Sequence, residues 1–411
     1  MGMGSIVGTG VFVSIGVAAE VSGPSVILAI FLASLVAICN GLSSAQLAAN
    51  HPVSGGTYEY GYRWLSPQLG FTAGWMFLCA KSASAATAAL GFAGYLLHAI
   101  GQDQQQWLLP IALMTVGLLT IVALTGISRS NFANIIIVSI TLASLGFFVV
   151  FGFPAAIANS KQNLTSIFSP DEGARGLLHA TALMFVAYTG YGRIATLGEE
   201  VKEPRRTIPR AIIITLAASM ILYISVAFVG LGIVGAEAYG RATRDEIAPL
   251  EIIAERFSIP NAGMVLSIGA ITAMLGVLLN LLLGLSRVLL AMGRRSDMPS
   301  VVANVNQQTG VPSVATLVIA VIIGSLALLG DVRLTWSFSA FTVLIYYALT
   351  NLCALRLTRE QRLFPIWPAY LGLAACLFLA FWVDLRVWLA GLALIVVGCL
   401  WQAIASRIAR Q

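Results

Sequence analysis

Long apolar stretches separated by short polar segments run through the whole sequence. A helix that crosses the hydrocarbon core of a membrane needs about 20 mostly apolar residues, and about twelve stretches meet this requirement. The third and eighth stretches are long enough to predict tilted helices. The pattern therefore predicts an all-α polytopic membrane protein. The predicted spans cover residues 2–19, 24–49, 67–100, 107–126, 131–153, 176–198, 208–234, 262–292, 313–330, 334–356, 365–382 and 386–405.

The basic residues between these spans indicate the orientation. Lys and Arg are about twice as numerous on the side of the chain termini as on the opposite side, and an excess of this kind marks cytoplasmic loops. An even number of spans places both termini on the same side. We therefore expect cytoplasmic termini and a location in the plasma (inner) membrane.

Composition agrees with this class and excludes others. The 411 residues are 58% hydrophobic and 10% charged, with a mean hydropathy of +0.90, whereas a soluble domain carries about 25% charged residues. The net charge of +6 comes from residues that flank the spans and does not indicate nucleic acid. The five cysteines and three histidines show no metal-ligand spacing. We predict no metal site, no cofactor, no enzymatic centre, no signal peptide and no separate soluble domain.

Two predicted spans contain glycine-rich interruptions. They are Gly4-Ser-Ile-Val-Gly-Thr-Gly-Val-Phe12 in the first span and Phe185-Val-Ala-Tyr-Thr-Gly-Tyr-Gly-Arg-Ile-Ala-Thr-Leu-Gly-Glu-Glu200 in the sixth. An unwound segment survives at membrane depth only where it lines a cavity or meets a ligand. Two such segments at corresponding places in two halves of a chain indicate a transporter binding site. Close helix packing of the GxxxG kind is the structural alternative.

Four segments recur in the order and spacing of one known family. They contain Gly-Thr-Gly-Val-Phe at residues 8–12, Ser-Gly-Gly-Thr-Tyr at 54–58, Leu-Gly-Glu-Glu-Val at 197–201 and Ser-Arg-Val-Leu-Leu-Ala-Met at 286–292. On these motifs the chain resembles, over essentially its whole length, the amino acid/polyamine/organocation (APC) transporter superfamily. Within this superfamily, the motifs most resemble those of the cationic amino acid transporter branch and its bacterial relatives.

The resemblance implies two inverted five-helix repeats of the leucine-transporter type plus two C-terminal helices, with helices 1 and 6 unwound. Residues 1–153 would form the first repeat and residues 154–330 helices 6–9 of the second. Helix 10 would then occupy residues 331–357, and the two C-terminal helices residues 358–411. Only about six residues precede the expected break, less than two turns of about 3.6 residues, whereas relatives have a longer first half-helix. If Met1 is the natural start, we expect a leaky or different inner gate.

The resemblance also implies an amino acid substrate at the two interruptions. Half-helix N-termini suit a carboxylate, and freed carbonyls suit an ammonium group. By position, the carboxylate and part of the amine would be held by Ile6, Gly8, Thr9 and Gly10. Val186, Ala187 and Thr189 would offer carbonyls to the amine, and Gly190 belongs to the same substrate-binding segment. Tyr191 would close over the substrate as an outer gate.

Charged residues extend this set. Many relatives carry an acidic residue after the gating aromatic, where this chain has Gly192 followed by Arg193. A cation there disfavours a cationic substrate if it faces the pocket. Lys81 is predicted to stand in for a sodium ion or to titrate as the coupling group, since the position of the span-five lysine found in sodium-independent relatives is Thr141. Snorkelling or structural pairing is the alternative for Lys81 and Arg193.

Glu199 and Glu200 are followed by a run of basic residues at the cytoplasmic end of span six. They predict an inner gate in which salt bridges rearrange, with a solvated charge cluster as the alternative. Asn280 and Ser337 are further candidate lining residues.

The sequence thus predicts a secondary active transporter of a neutral amino acid, embedded in membrane lipid and working by alternating access. It leaves open proton coupling, sodium coupling, exchange and the oligomeric state. The alternatives are an exchanger or uniporter for cationic or polyamine substrates and a non-transporting membrane sensor on the same scaffold. A channel is disfavoured because no charged ring or filter repeat appears.

Overall fold

The computed structural model describes residues 2–53, 55–102, 105–126, 131–164, 173–195 and 203–408, so the predicted gate residues Glu199 and Glu200 lie outside the described residues. Each of the twelve predicted spans overlaps at least one helix, which confirms the all-α polytopic fold. The helices are α1 (Gly2–Ile6), α2 (Ile15–Ser22), α3 (Val26–Asn50), α4 (Thr57–Trp64), α5 (Pro67–Ala99), α6 (Leu108–Leu124), α7 (Asn131–Asn163), α8 (Gly173–Tyr188), α9 (Gly192–Ala195), α10 (Pro204–Arg241), α11 (Pro249–Ala254), α12 (Ala262–Arg294), α13 (Ser313–Ala327), α14 (Val332–Leu355), α15 (Trp367–Ala380) and α16 (Leu385–Ile408).

Eight helical stretches in the described chain are long and apolar enough to cross a membrane, and α13 and α15 are shorter apolar helices. The first stretch, Gly10–Asn50, holds two helices, because the chain breaks at Gly23, where φ is +60°. α5 and α12 have 33 residues each, or about 50 Å at a rise of about 1.5 Å per residue. A hydrocarbon core of about 30 Å accommodates such helices when they tilt.

α5 lies at the centre of the helical packing. Its most apolar 18-residue window is 78% buried, whereas the corresponding window of α16 is only 22% buried and leaves most of that helix to lipid. Small side chains let α5 approach α14 closely. The hydroxyl oxygens of Ser84 and Ser339 are 2.8 Å apart, as are those of Thr87 and Thr335. These hydroxyl pairs hold the two helices in one register. α5 and α14 therefore form a rigid pair beside the first span.

The first span is broken where its glycines predict a break. α1 ends at Ile6, residues 7 and 8 form a bend, and a π-helical turn over Gly10–Ser14 precedes α2. In the sixth span, fewer of the described residues depart from α-helical geometry. There α8 ends at Tyr188, and one 3₁₀ turn, Thr189–Tyr191, leads into α9. A single 3₁₀ turn tightens the helix and re-aims its carbonyl groups while keeping most of the backbone hydrogen-bonded.

Candidate functional site

A cavity of about 250 Å³ lies between the break in the first span, the 3₁₀ turn of the sixth span, and helices α5, α12 and α14. Ligand clefts in proteins start at about 300 Å³, so this cavity suits a small solute. Its wall contains most of the residues that the sequence assigned to the substrate, from segments about 180 residues apart. The predicted residues on the wall are Ile6, Thr9, Gly10, Lys81, Val186, Ala187, Thr189, Gly190, Arg193 and Asn280.

Four predicted residues are not on this wall. Gly8 packs against the Val277 side chain of α12, and the Thr141 hydroxyl donates to the Ile137 carbonyl of its own helix, 2.7 Å away. Ser337 and Tyr191 are fully buried behind the wall. The Tyr191 ring lies against the ring of Tyr347, with 5.4 Å between the centroids. The gating role of Tyr191 and the coupling role of Thr141 stay predictions.

Thr9 offers the cavity an unused polar group. The residue is 4% exposed, and its hydroxyl has no hydrogen-bond partner among the described residues. A buried hydroxyl without a partner costs about 1–3 kcal/mol, and a hydroxyl both donates and accepts. A carboxylate or ammonium group in the cavity would give this hydroxyl the partner that the described residues do not supply.

Lys81 connects α5 to the 3₁₀ turn of the sixth span. Its ammonium nitrogen donates to the Thr189 hydroxyl at 2.7 Å, and that hydroxyl donates in turn to the Val186 carbonyl at 2.7 Å. The Tyr347 hydroxyl donates to the Thr189 carbonyl at 3.2 Å. The cation on span three thus contacts the segment whose geometry departs from the α-helix, which is where a coupling group would have to act.

Tyr223 is a site residue that the sequence analysis missed. This fully buried tyrosine of α10 places its hydroxyl 2.8 Å from the Ile6 carbonyl and 3.3 Å from the Ala187 carbonyl. These are two of the carbonyls assigned to the substrate amine. A hydroxyl has one proton, so it donates to one carbonyl at a time. The other carbonyl oxygen can then accept a hydrogen bond from another donor. The only signal was a polar group inside an apolar span, since polar groups at membrane depth are costly.

Replacement of Tyr223 by phenylalanine is expected to reduce both stability and transport. The ring stays, but two buried carbonyls on the first and sixth spans lose their common donor, at about 1–3 kcal/mol for a buried group left unsatisfied. We expect a melting temperature several degrees lower in detergent and a reduced transport rate. Tyr239→Phe is the matched control, because Tyr239 is fully buried on the same helix and its hydroxyl has no partner among the described residues. Equal effects of the two substitutions would contradict the bridging role.

The charge of the cavity has one sign. Its described wall includes three cationic residues, Lys81, Arg193 and Arg287, and no acidic residue. The Arg193 side chain lies beside Gly284 of α12, with a guanidinium nitrogen 3.7 Å from the position that a Cβ atom on Gly284 would take. Arg193 therefore faces inward, which is the condition under which the sequence predicted discrimination against cationic substrates.

Aromatic residues from α5 and α14 form another part of the wall. They include Phe77, Trp336, Tyr346 and Tyr347. The Trp336 ring nitrogen donates to the Leu183 carbonyl at 3.0 Å, and the Tyr346 hydroxyl accepts from the Thr57 amide at 3.2 Å. Because these polar atoms are already engaged, the rings present apolar surface to the cavity.

A polytopic helical fold with a small-solute cavity beside a broken span defines a class of protein, the membrane carriers for small molecules. Sequence comparison gives the family. The amino acid permease family model matches residues 1–408, and the chain belongs to this family, within the APC superfamily that the motifs indicated.

Similar proteins come from bacteria and plants. An uncharacterized transporter of Mycobacterium tuberculosis is 37% identical over all of this chain and 90% of its own length. The branched-chain amino acid permease of Bacillus subtilis is 27% identical over 95% of this chain and 88% of its own length. A mitochondrial cationic amino acid transporter of Arabidopsis thaliana is 29% identical over 81% of this chain and 56% of its own length. These are transporters, and amino acid transport is what the family supports for this integral membrane protein.

Proposed function

We propose that this protein is a secondary active transporter that carries neutral amino acids with apolar side chains by alternating access. The observation that carries the proposal is the make-up of the cavity wall. It combines cationic side chains and the Thr9 hydroxyl, which has no partner among the described residues, with apolar aromatic rings. The cationic and hydroxyl groups suit an α-carboxylate, and the aromatic rings suit an apolar side chain.

The amine has a place in the same arrangement. The Ile6 and Ala187 carbonyls lie at the wall and are shared by a single hydroxyl proton from Tyr223. A carbonyl oxygen has two lone pairs, so both can also accept from an ammonium group. A neutral amino acid thereby brings one anionic and one cationic group to partners of opposite polarity, without a third charge that would face Arg193.

The cavity mouth supports an assignment of conformational state. Gly55 and Gly56, after α3, and Arg287 and Ala291, near the end of α12, line the cavity. The positive-inside rule assigns these segments to the cytoplasmic side. We therefore take the described conformation as inward-facing in the plasma membrane, with both termini cytoplasmic. Lys81, through Thr189, is the residue that we assign to coupling.

Counterflow in proteoliposomes tests the transport function. Vesicles loaded with unlabelled leucine are expected to accumulate external radiolabelled leucine transiently, because a carrier is accelerated by substrate on the far side. A channel or a sensor shows no such trans-stimulation. A competition panel at two pH values, with and without sodium, then orders the amino acids by class. Counterflow of lysine with no inhibition by leucine would support the cationic alternative instead.

Arg193→Gln is expected to relax the discrimination against cationic substrates. Removal of one like charge near the substrate is worth about 1 kcal/mol in a well-solvated site, or about a fivefold change in affinity. The inhibition constant of lysine should fall by at least this factor, while that of leucine changes little. Arg256→Gln, at an exposed position between α11 and α12, is the control. An unchanged ratio of lysine to leucine inhibition would argue against a role of Arg193 in selectivity.

A further inference from the structure

Residues 242–256, between α10 and α12, form a compact segment that we call the outer lid. It consists of a π-helical turn, Ala242–Glu246, then α11, then a short turn. The lid contacts His98 near the end of α5, whereas Lys81 of the same helix lines the cavity. These two residues are 17 positions apart, which is about 25 Å along a helix. The lid therefore covers the end of the molecule opposite the cavity mouth.

The lid is closed onto the first and third spans. A side chain on Gly16 of α2 would collide with Thr243, and a side chain on Gly94 of α5 would collide with Ile247. Arg244 of the lid forms an ion pair with Glu20 at the end of α2, with 3.1 Å between the nitrogen and the oxygen. The lid is therefore packed tightly against α2 and α5.

A hydrogen-bonded link connects the lid to the broken part of the first span. The Leu250 amide at the start of α11 donates to the Tyr95 hydroxyl at 3.2 Å. That hydroxyl donates to the Phe12 carbonyl at 2.9 Å, in the π-helical turn that begins at Gly10. Movement of α11 therefore acts directly on the segment that borders the candidate substrate site.

Glu251 follows Leu250 and is a buried carboxylate within the lid. It is 3% exposed, and its Oε2 atom has no hydrogen-bond partner among the described residues. Two further carboxylates lie on the nearby imidazole of His98, which contacts Glu246 through Nδ1 at 3.1 Å and Glu255 through Nε2 at 3.3 Å. An ionised carboxylate is costly to bury when one of its oxygens has no hydrogen bond, and neighbouring carboxylates add repulsion.

We propose that Glu251 is a proton-binding site that controls the outer lid, taking up a proton from the outer solution as the lid closes and releasing it as the lid opens. The step is an acid–base equilibrium of one carboxyl group and needs no other reactant. The assignment of this face to the outside rests on the proposed function. The proton stays on the outer side, so the site senses external pH and is separate from the coupling role assigned to Lys81.

The pKa of Glu251 gives the sign of the effect. Burial raises this pKa to about 7, with Glu255 and Glu246 adding to the rise and the Ser267 hydroxyl and His98 opposing it. A solvent-exposed glutamate has a pKa of about 4.3. The closed lid therefore binds one more proton than the open lid between about pH 4.3 and 7. Across this window each lower pH unit favours closure by up to about tenfold. Below the window both states are protonated and the dependence ends.

Hydrogen–deuterium exchange of residues 242–256 tests the site in the full-length protein in nanodiscs between pH 5.5 and 8.5, corrected for the intrinsic pH dependence of amide exchange. In the unmodified protein we expect protection of the lid to fall at least tenfold as the pH rises from 5.5 to about 7, and to change little above that. Glu251→Gln keeps the shape of the side chain and holds it neutral, so its lid should stay protected at every pH. Glu255→Gln, at a side chain that is 56% exposed, should retain the pH dependence.

Two results would overturn the proposal: lid protection in the unmodified protein that does not vary with pH, or a Glu251→Gln protein that still shows the variation. Leucine counterflow measured at several external pH values distinguishes a failure of this proposal from a failure of the proposed function. Glu251→Gln should retain counterflow but lose its dependence on external pH. Absence of counterflow in the unmodified protein would contradict the transport assignment, while the exchange measurement would still decide the role of Glu251.

Discussion

Gly10→Ala is expected to abolish transport while the protein still inserts and folds. A Cβ atom at this position would lie 2.7 Å from the Ala187 Cβ atom and 2.9 Å from the Ala187 Cα atom. Real Cβ atoms do not approach neighbours this closely, and the obstacle is backbone, so the first and sixth spans must separate at the cavity wall. A displacement of about 1 Å in a positioned site costs about 100-fold in rate. Radiolabelled leucine uptake in proteoliposomes, normalised to reconstituted protein, measures the loss.

Gly146→Ala and Gly117→Ala are the matched controls for this prediction. Both glycines lie in membrane helices, and a Cβ atom on either would meet nothing within 4 Å. Alanine is also the better helix former, by about 1 kcal/mol. We expect both control proteins to transport normally and to be at least as stable as the unmodified protein. If Gly10→Ala also transports normally, the close contact between the first and sixth spans is not needed for function.

Lys81→Met is expected to lower transport at least tenfold and to flatten its dependence on pH, without loss of thermal stability. A buried charge is weak evidence for stability, because the free-energy cost of its desolvation offsets most of the favourable interaction with its partner. Replacement by an apolar side chain of similar length should therefore leave the melting temperature unchanged or raise it. A fall in transport with retained stability would assign the ammonium group to function. Uptake and pH dependence like those of the unmodified protein would remove Lys81 from the coupling mechanism.

Thr189→Val and the double variant extend this measurement. The Lys81 ammonium donates to the Thr189 hydroxyl, so the two residues should act as a unit if this contact transmits the charge to the sixth span. Residues in one hydrogen-bonded network show non-additive effects. We expect the double variant to be no worse than Lys81→Met alone. Arg287→Met, which removes an exposed cation at the cavity mouth, is the control for a general effect of charge and should have a smaller effect.

Much of the candidate site followed from local sequence. The Gly-Thr-Gly run at residues 8–10 predicted a break in the first span, because glycines that interrupt an apolar helix at membrane depth require a cavity or a ligand. The break lies there, and Thr9 and Gly10 line the cavity. Lys81 and Arg193 were identified as charges inside predicted spans, and both are on the cavity wall. Each of these signals is contained within one helix.

The residues that escaped prediction depend on contacts between distant helices. Tyr223 bonds to Ile6 and Ala187, and its own span shows an ordinary apolar pattern around it. Glu251 lies between two predicted spans, 208–234 and 262–292, and its burial arises from packing of α11 against α12. Gly8 and Gly10 belong to one motif, yet one packs against α12 and the other lines the cavity.

By itself the sequence determined the membrane class, the helices, the break in the first span and the charged residues placed at membrane depth. Hydrophobic runs and glycines determine local structure, so these properties can be predicted from consecutive residues. The tertiary structure decided which side of each helix faces the cavity, which carbonyls Tyr223 contacts, and that Glu251 is buried between α10 and α12. In a helix that is apolar on every side, periodicity does not distinguish the faces, so only packing against neighbours selects the one that meets a substrate.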